Sequence, residues 1–474
     1  KENVSLVGSQ EIRIGPQVRK RNMNSSIFRE YDIRGVADTD LSSETMAAIS
    51  RALGTFLKRQ GAEAMVVGRD CRLSSPRVAK DMIEGLLSTG LDVVDIGLVT
   101  TPLVYFGCWT LPVQGGVMIT GSHNPPDHNG MKICVGTASV MGEQVQQIRK
   151  MAEKKDFDQG QGKLTTLDIR EAYLEKIVSG IHHPLNLHVV IDSGNGTAGV
   201  VAPELFRRLG CRVEDLYSEP DGNFPNHHPD PTVPENMEDL IARVKESGAC
   251  VGVGFDGDSD RIGIVDKTGK LIYGDELLVL FARQVLKKHP GATVISEVKA
   301  SHRLYEDISR HGGKPVQWKT GHSLIKAKMK ETGALLAGEM SGHVFFKDRY
   351  FGFDDAVYAA ARLFEILHET GKTPLELLSD LPPSFSTPEI RVDCPDEIKF
   401  AVVKAARDTF IQQGLKVNDI DGARVEFGDG WGLVRASNTQ PVLVYRFEAV
   451  SAARLDQIRS TVETVVKHCV VQAS

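Results

Sequence analysis

Six consecutive residues carry the densest chemistry in the chain: Asp256-Gly257-Asp258-Ser259-Asp260-Arg261, set between apolar segments at 250–255 and 262–265. Aspartates at i, i+2 and i+4 offer hard oxygen ligands to a divalent cation. Carboxylates crowded this closely repel one another unless a cation or protons neutralise them. An EF-hand loop carries Gly at its sixth position and Glu at its twelfth. Here those places hold Arg261 and Lys267, and the flanks read as strands. Three ligands with positions left open for a phosphate suit Mg2+. The plain alternative is a solvated acidic hairpin turn.

Three further polar loops follow apolar runs. Thr120-Gly121-Ser122-His123-Asn124-Pro125-Pro126 comes after the run 116–119. A serine at a strand end, beside His and Asn, can be a nucleophile or a phosphate carrier. It is not a G-x-S-x-G elbow, and no G-x-x-x-x-G-K-[ST] loop is present. Gly338-Glu339-Met340-Ser341-Gly342-His343 follows the run 335–337, and its Glu, Ser and His can meet sugar hydroxyls. Arg435-Ala436-Ser437-Asn438-Thr439-Gln440-Pro441 is a cation followed by three small polar donors, a nest suited to a phosphate dianion. Taken singly, each of the three also reads as an ordinary polar turn.

Two glycine patterns compete with this reading. Gly252–Gly257 matches G-x-G-x-x-G, but the triple-Asp loop follows it and would repel a pyrophosphate. Gly194–Gly199 is a better Rossmann candidate, with a strand before, a helix after, and Asp215 or Glu219 further on. It is read here as a structural turn, since Asp192 stands directly ahead of the glycines. A nucleotide-dependent sugar-phosphate dehydrogenase is the competing class. A catalytically dead sugar-phosphate binder is a third, disfavoured by the intact Ser122 and three Asp.

The elements that must position these loops alternate short apolar strand and amphipathic helix. Strands are expected at 64–68, 91–96 and 116–120, with a helix over 76–88. A second unit runs through strands 187–192, 212–216, 250–255 and 262–265, with a helix ending near 209, a Pro-rich loop over 219–234 and a helix near 237–246. A third has helices 276–288, 302–311, 323–331 and 354–370 around strands 293–297, 316–318 and 335–337. After a linker at 381–387, the remainder reads β-α-β-β-α: 389–392, 397–413, 423–427, 442–448 and 452–468. The fold class is α/β with parallel strands, followed by an α+β end. No short-period repeat is evident.

Composition narrows the function classes. At about 100–200 residues per domain, 474 residues suggest three domains. With 56 Lys and Arg against 62 Asp and Glu the net charge is −6, and there is no basic tail for duplex nucleic acid. Seven cysteines without a C-x-x-C argue against a disulfide framework or structural zinc and fit a reducing, cytoplasmic setting. The uncharged stretch 96–126 is broken by Pro, Gly, Thr and Gln, so no membrane-spanning helix is expected there. Residues 1–22 lack the apolar region of a secretory signal and read as a flexible arm.

Together the four loops resemble the α-D-phosphohexomutase superfamily, near its bacterial phosphomannomutase/phosphoglucomutase branch. The order TGSHNP, DGDSDR, GEMSGH, RASNTQP is the family's, and the resemblance runs from Phe28-Arg29-Glu30-Tyr31-Asp32-Ile33-Arg34-Gly35 to the C-terminal domain, about 95% of the chain. It implies four domains around a central cleft: three related mixed α/β domains and a C-terminal α+β domain resembling the TATA-binding protein. Expected bounds are 23–167 (phosphoserine), 168–270 (metal), 271–382 (sugar) and 383–474 (phosphate). The implied roles are Ser122 as phosphoserine, with Asp256, Asp258, Asp260 and a phosphoserine oxygen holding Mg2+. Glu339, Ser341 and His343 would contact sugar hydroxyls, and Arg435, Ser437, Asn438 and Thr439 the non-reacting phosphate. Tyr31, His123, Lys299 and His322 are expected at the substrate. Arg261 would offset charge on the transferring group, and Lys132 with Arg34 or His343 would serve as acid and base. Met340 in GEMSGH, and RASNTQP in place of RPSGTEP, resemble the hexose-specific branch rather than the phosphoglucosamine mutases. The implied reaction passes through a hexose 1,6-bisphosphate, which also serves as activator. Sugar phosphates are then the partners, with no nucleic acid or membrane, and the chain is expected as a monomer or weak dimer.

Overall fold

A computed structural model describes residues 23–437 and 440–473. The expected arm 1–22, and Asn438 and Thr439, lie outside the described residues. The strands form four sheets, one more than chain length alone suggests and matching the four domains that the resemblance implies.

The first three sheets share one plan. In the first, Ala64–Arg69 runs parallel to both Asp92–Leu98 and Gly115–Ile119, and Gly115–Ile119 then pairs antiparallel with His128–Val135. In the second, His188–Asp192 is parallel to Arg212–Leu216 and Val251–Phe255, and Val251–Phe255 turns back antiparallel into Ile262–Asp266. In the third, Thr293–Glu297 is parallel to Lys314–Trp318 and Leu336–Gly338, which reverses into Val344–Phe346. The central strands are buried on both faces, as their unbroken Val, Ile and Gly composition requires. Each reversal carries a signature loop: 120–127, 256–261 and 339–343. The fourth sheet is antiparallel, and its loop 437–441 joins Gly430–Ala436 to Val442–Ala449.

Several elements escape the sequence reading. Ser43–Lys58 and Glu143–Lys154 are amphipathic helices, and His128–Val135 is a strand. Within the uncharged stretch, Thr101–Thr110 is a ten-residue helix capped by Thr100 and buried from Thr101 to Cys108. No helix among the described residues is long and apolar enough to cross a membrane. The C-terminal reading omitted Gly430–Ala436, where Gly430 and Gly432 disguise a strand. A Cβ on Gly430 would stand 2.5 Å from the Glu448 carbonyl oxygen, so close pairing demands the glycine.

One apolar core runs through the first three sheets, from Val66 and Leu103 through Phe206 and Phe255 to Phe364 on the buried helix Ala356–Thr370. The fourth sheet has its own core. Among the described residues a small buried cluster, Val298 with Trp431 and Leu433, crosses to it. Trp431 is fully buried, with the Arg424 guanidinium 3.7 Å from its ring centroid. Trp431→Ala should therefore cost about 3–5 kcal/mol. Urea unfolding followed by circular dichroism should show the transition of the C-terminal domain at clearly lower urea.

Candidate active site

The three aspartates are fully buried, and their ligand atoms lie within 4.8 Å of one another. Asp256 Oδ1 accepts from the backbone N–H groups of Asp260 and Arg261, each at 3.1 Å, which curls the loop around it. Ser259 supports the curl in a left-handed conformation, φ 67°. Asp258 accepts from Thr101 Oγ1 at 2.5 Å and from Lys132 Nζ at 2.6 Å, and Lys132 also donates to Asp260. Oδ1 of Asp258 and of Asp260 are buried with no hydrogen-bond partner among the described residues. Burial, reinforced by Asp258 and Asp260, pushes the Asp256 carboxyl well above the usual carboxylate range. The turn therefore holds more carboxylate than Lys132 and Arg261 neutralise, and its free oxygens fit a hard divalent cation.

Ser122 meets this turn directly. Its Oγ donates to Asp256 Oδ2 at 2.9 Å and lies 3.1 Å from His123 Nδ1. The residue is left-handed, φ 50°, with its N–H bound to Thr120 Oγ1. Arg72 holds the loop from behind: its buried guanidinium donates to the carbonyls of Ser122 (2.7 Å), Asn124 (2.6 Å), Pro125 (2.5 Å) and His128 (3.0 Å). Gly257 lets the two loops touch, since a Cβ there would stand 2.6 Å from the Ser122 carbonyl oxygen. On the other side, Thr197 donates through N–H (3.0 Å) and Oγ1 (3.2 Å) to the Gly257 carbonyl, and Gly196 packs against Gly257. The glycine-rich turn 194–199 is thus filled by protein and braces the acidic turn.

The third loop joins from the far side. Arg261 and His343 form a β-bridge, and Ile262 N–H donates to the Gly342 carbonyl at 3.1 Å. His343 sets Nε2 3.4 Å from Asp260 Oδ1, and Nδ1 3.1 Å from Glu339 Oε2 and 2.9 Å from Ser341 Oγ. Burial opposes its charge, but Asp260 and Glu339 outweigh it, raising its pKa to about 9. For Lys132 the same balance, won by Asp258 and Asp260, raises its pKa and keeps it an ammonium. His322 stacks on His343 with ring centroids 5.4 Å apart, and Tyr31 stands edge-on to His322 at 5.4 Å. Arg34 pairs with Asp32 at 2.6 Å.

The loop that follows Ala436 reaches this group through intermediaries. Arg435 Nε donates to Asp421 Oδ2 at 3.0 Å, which also accepts from Thr320 N–H at 2.9 Å. Thr320 Oγ1 donates to Glu297 at 2.5 Å, and Glu297 Oε2 lies 3.4 Å from Lys299. The neighbouring Gly321 N–H donates to Glu339 Oε1 at 2.7 Å. Ser437 lies on the same loop, whose ends are held by Lys399 Nζ, donating to the carbonyls of Ser437 (2.6 Å) and Gln440 (2.9 Å). The sequence reading does not anticipate Thr101, Arg72, Glu297, Lys399 and Asp421. The run Arg69-Asp70-Cys71-Arg72 between strand and helix was a usable signal for Arg72. Thr101 sits in an uncharged stretch and gave none.

Comparison with known proteins agrees with this geometry. Four family models match in order: phosphoglucomutase/phosphomannomutase alpha/beta/alpha domain I over 25–159, domain II over 171–269, domain III over 273–385 and the C-terminal domain over 389–465. The fold and the four-loop site define a multidomain α/β protein of this type, and the chain belongs to the phosphoglucomutase/phosphomannomutase family. It is 51% identical over 444 residues to a Pseudomonas aeruginosa phosphomannomutase/phosphoglucomutase, covering 94% of this chain and 96% of that one. It is 45% identical to a Neisseria gonorrhoeae phosphoglucomutase over 94% of this chain and 98% of that one. A crystal structure of a phosphoglucomutase/phosphomannomutase family protein from Burkholderia thailandensis superimposes with a TM-score of 0.90 at 45% identity, covering 95% and 99% of the two chains.

The contact between Gly257 and Ser122 yields a sharp expectation. Gly257 is outside the left-handed region, so alanine is tolerated by the backbone, and only the Ser122 carbonyl opposes it. Gly257→Ala should leave the circular dichroism spectrum intact. It should lower kcat by about 10²-fold, the cost of displacing reacting groups by roughly 1 Å, with KM for a sugar phosphate changed far less.

Proposed function

We propose that the protein is a phosphohexomutase interconverting hexose 1-phosphates and hexose 6-phosphates, glucose and mannose among them. The observation that carries this reading is the contact of Ser122 Oγ with Asp256 inside the three-carboxylate turn. Ser122 is the phosphate carrier. In the forward half, the bond from phosphorus to Ser122 Oγ breaks as a bond forms to a free hydroxyl oxygen of the sugar. The hydroxyl proton passes to a basic group, and the product is a hexose 1,6-bisphosphate. After the intermediate turns end for end, its other phosphate returns to Ser122 by the reverse step.

Asp256, Asp258 and Asp260, with an oxygen on Ser122, would hold Mg2+, which when bound draws charge off the phosphoryl oxygens. Arg261 sits at the end of the same turn and offsets that charge from the protein side. Lys132 and His343, both beside Asp260, are held as cations: one gives its proton to Ser122 Oγ as the bond to phosphorus breaks, and the group so freed is the base that takes the hydroxyl proton. Glu339, Ser341 and His322 line the sugar, with Tyr31 closing one side. Arg435 and Ser437, with Asn438, Thr439 and Lys299, take the phosphate that is not reacting. Contacts to hydroxyls away from C2 leave the gluco and manno configurations little distinguished.

Intact-mass analysis after incubation with glucose 1,6-bisphosphate should show one added phosphate, lost in Ser122→Ala. Phosphate retained on the variant at the wild-type level would overturn the assignment. The metal role is tested separately. Dialysis against EDTA should abolish turnover and Mg2+ should restore it, and Asp258→Asn should lower kcat by at least about 10²-fold. Thermal stability of Asp258→Asn should fall little, because removing one of three clustered carboxylates also relieves repulsion.

A further inference from the structure

We propose that Cys108 and Cys134 are an oxidation site: a peroxide joins them in a reversible disulfide that shifts two supports of the acidic turn. Both are free thiols here. Cys108 stands near the end of the helix Thr101–Thr110, and Cys134 on the strand His128–Val135. The sheet register brings them together. Gly116 pairs directly with Cys134 across the antiparallel ladder. Residues so paired face the same side, with Cβ positions roughly 4.5–5.5 Å apart. A Cβ on Gly116 would stand 2.7 Å from Cys108 Sγ. The Cys108 sulfur thus fills the space that the missing side chain leaves, beside Cys134, and the two thiols hydrogen-bond one another.

Their surroundings divide the roles. The Cys108 thiol holds the Cys134 thiol below its ordinary range; burial and Asp354 oppose this, and the Lys326 ammonium reinforces it. The same contact and burial push the Cys108 thiol well above that range. Both residues are buried, but they line a small cavity with Lys326 and Trp109, and Trp109 is 46% exposed. Cys134 is therefore the attacking sulfur. Its thiolate bonds to one peroxide oxygen, the O–O bond breaks, and the other oxygen leaves as hydroxide and takes the proton that Cys134 gave up. The Cys108 sulfur then attacks the sulfenic sulfur, the S–O bond breaks, and that oxygen leaves as water with the Cys108 proton. Two thiols are oxidised and one peroxide is reduced to two waters. A dithiol reverses the bond by exchange. The link bears on the site because Thr101 lies two turns before Cys108 on the same helix face, and Lys132 two residues before Cys134 on the same strand face. Thr101 Oγ1 and Lys132 Nζ both donate to Asp258 Oδ2, at 2.5 and 2.6 Å. Bonded sulfurs stand ~2.0 Å apart, closer than two thiols in contact, so closure draws helix and strand together and moves both donors.

The test treats the full chain, with Mg2+ present, with a small excess of hydrogen peroxide, alkylates it without reduction and maps its peptides by mass. The expected product is one cross-linked pair of peptides joining Cys108 to Cys134, lighter by two hydrogens than the separate thiol peptides and released by dithiothreitol. This readout uses the wild-type protein and does not depend on the mutase reading. In the same samples kcat for a sugar phosphate should fall at least about tenfold in step with the cross-link. Recovery with dithiothreitol sets the loss apart from methionine oxidation, which a dithiol does not reverse. Cys108→Ala should keep its turnover under the same treatment. No cross-link, Cys134 oxidised alone, or bonds at other cysteines instead would overturn the site. A complete Cys108–Cys134 bond with kcat unchanged would overturn its action on the acidic turn. Absence of turnover before any peroxide would count against the mutase reading and leave the mapped bond to decide the site.

Discussion

Three carboxylates buried within one six-residue turn impose the constraint from which the rest of the site follows. In a poorly solvated interior their mutual repulsion is strong. The protein answers it with two backbone N–H groups on Asp256, the Thr101 hydroxyl on Asp258 and the Lys132 ammonium shared between Asp258 and Asp260. That supply is insufficient, since two carboxylate oxygens keep no hydrogen-bond partner among the described residues. The shortfall is what makes the turn fit to hold a cation. It also explains why the neighbouring loop must come so close: Ser122 reaches Asp256 only because position 257 has no side chain. Bracing by Thr197 and Gly196 keeps that approach fixed from behind.

The same topological point is used in each of the first three domains. Where a strand paired in parallel to one neighbour turns back antiparallel, the connection leaves the carboxyl end of the sheet, the usual place for ligands in α/β folds. Ser122, Asp256–Asp260 and Glu339–His343 all occupy such reversals. The repetition is structural and leaves no repeated sequence, because only the ladder pattern is shared while each loop has a different task. Arg261 pairing with His343 then welds the second reversal to the third.

What the sequence discloses depends on how local the encoding is. The acidic turn was legible because its spacing alone places three carboxylates in one curl. Ser122 was legible from its place after an apolar strand. Neither needs a distant partner to be recognised. Thr101, by contrast, is 157 residues from the Asp258 it supports, and Asp421, which joins Arg435 to Thr320, is 101 residues from Thr320. Contacts of that range carry no local pattern. The parallel strands were found because burial on both faces gives unbroken apolar runs. Gly430–Ala436 was lost because close pairing to Val442–Ala449 substitutes glycine for the β-formers that advertise a strand. Domain number followed the same logic, since length carries no information about where one core stops and another begins.

The attachment of the fourth domain differs in kind from that of the other three. Phe206, Phe255 and Phe364 belong to a core that continues from the first sheet to the third, so separating those domains would expose a large apolar area. The fourth domain is held mostly by polar pairs. Arg446 meets Asp275 at 3.2 Å, Ser301 donates to Glu448 at 3.0 Å, Lys299 donates to Glu389 at 2.8 Å, and Arg424 donates to the carbonyls of Val298 and Ala300. Deleting one partner of a buried pair strands a charge and costs several kcal/mol. Opening the whole seam is a different process, because every charge then regains water together and recovers its hydration. Among the described residues, the apolar cluster that spans the seam is small: Val298, Trp431 and Leu433, with Ile420 beside them. The loop between Gly430–Ala436 and Val442–Ala449 therefore rides on the domain whose separation from the rest is least opposed by the hydrophobic effect, while the loops that carry Ser122 and the three aspartates are anchored in the continuous core.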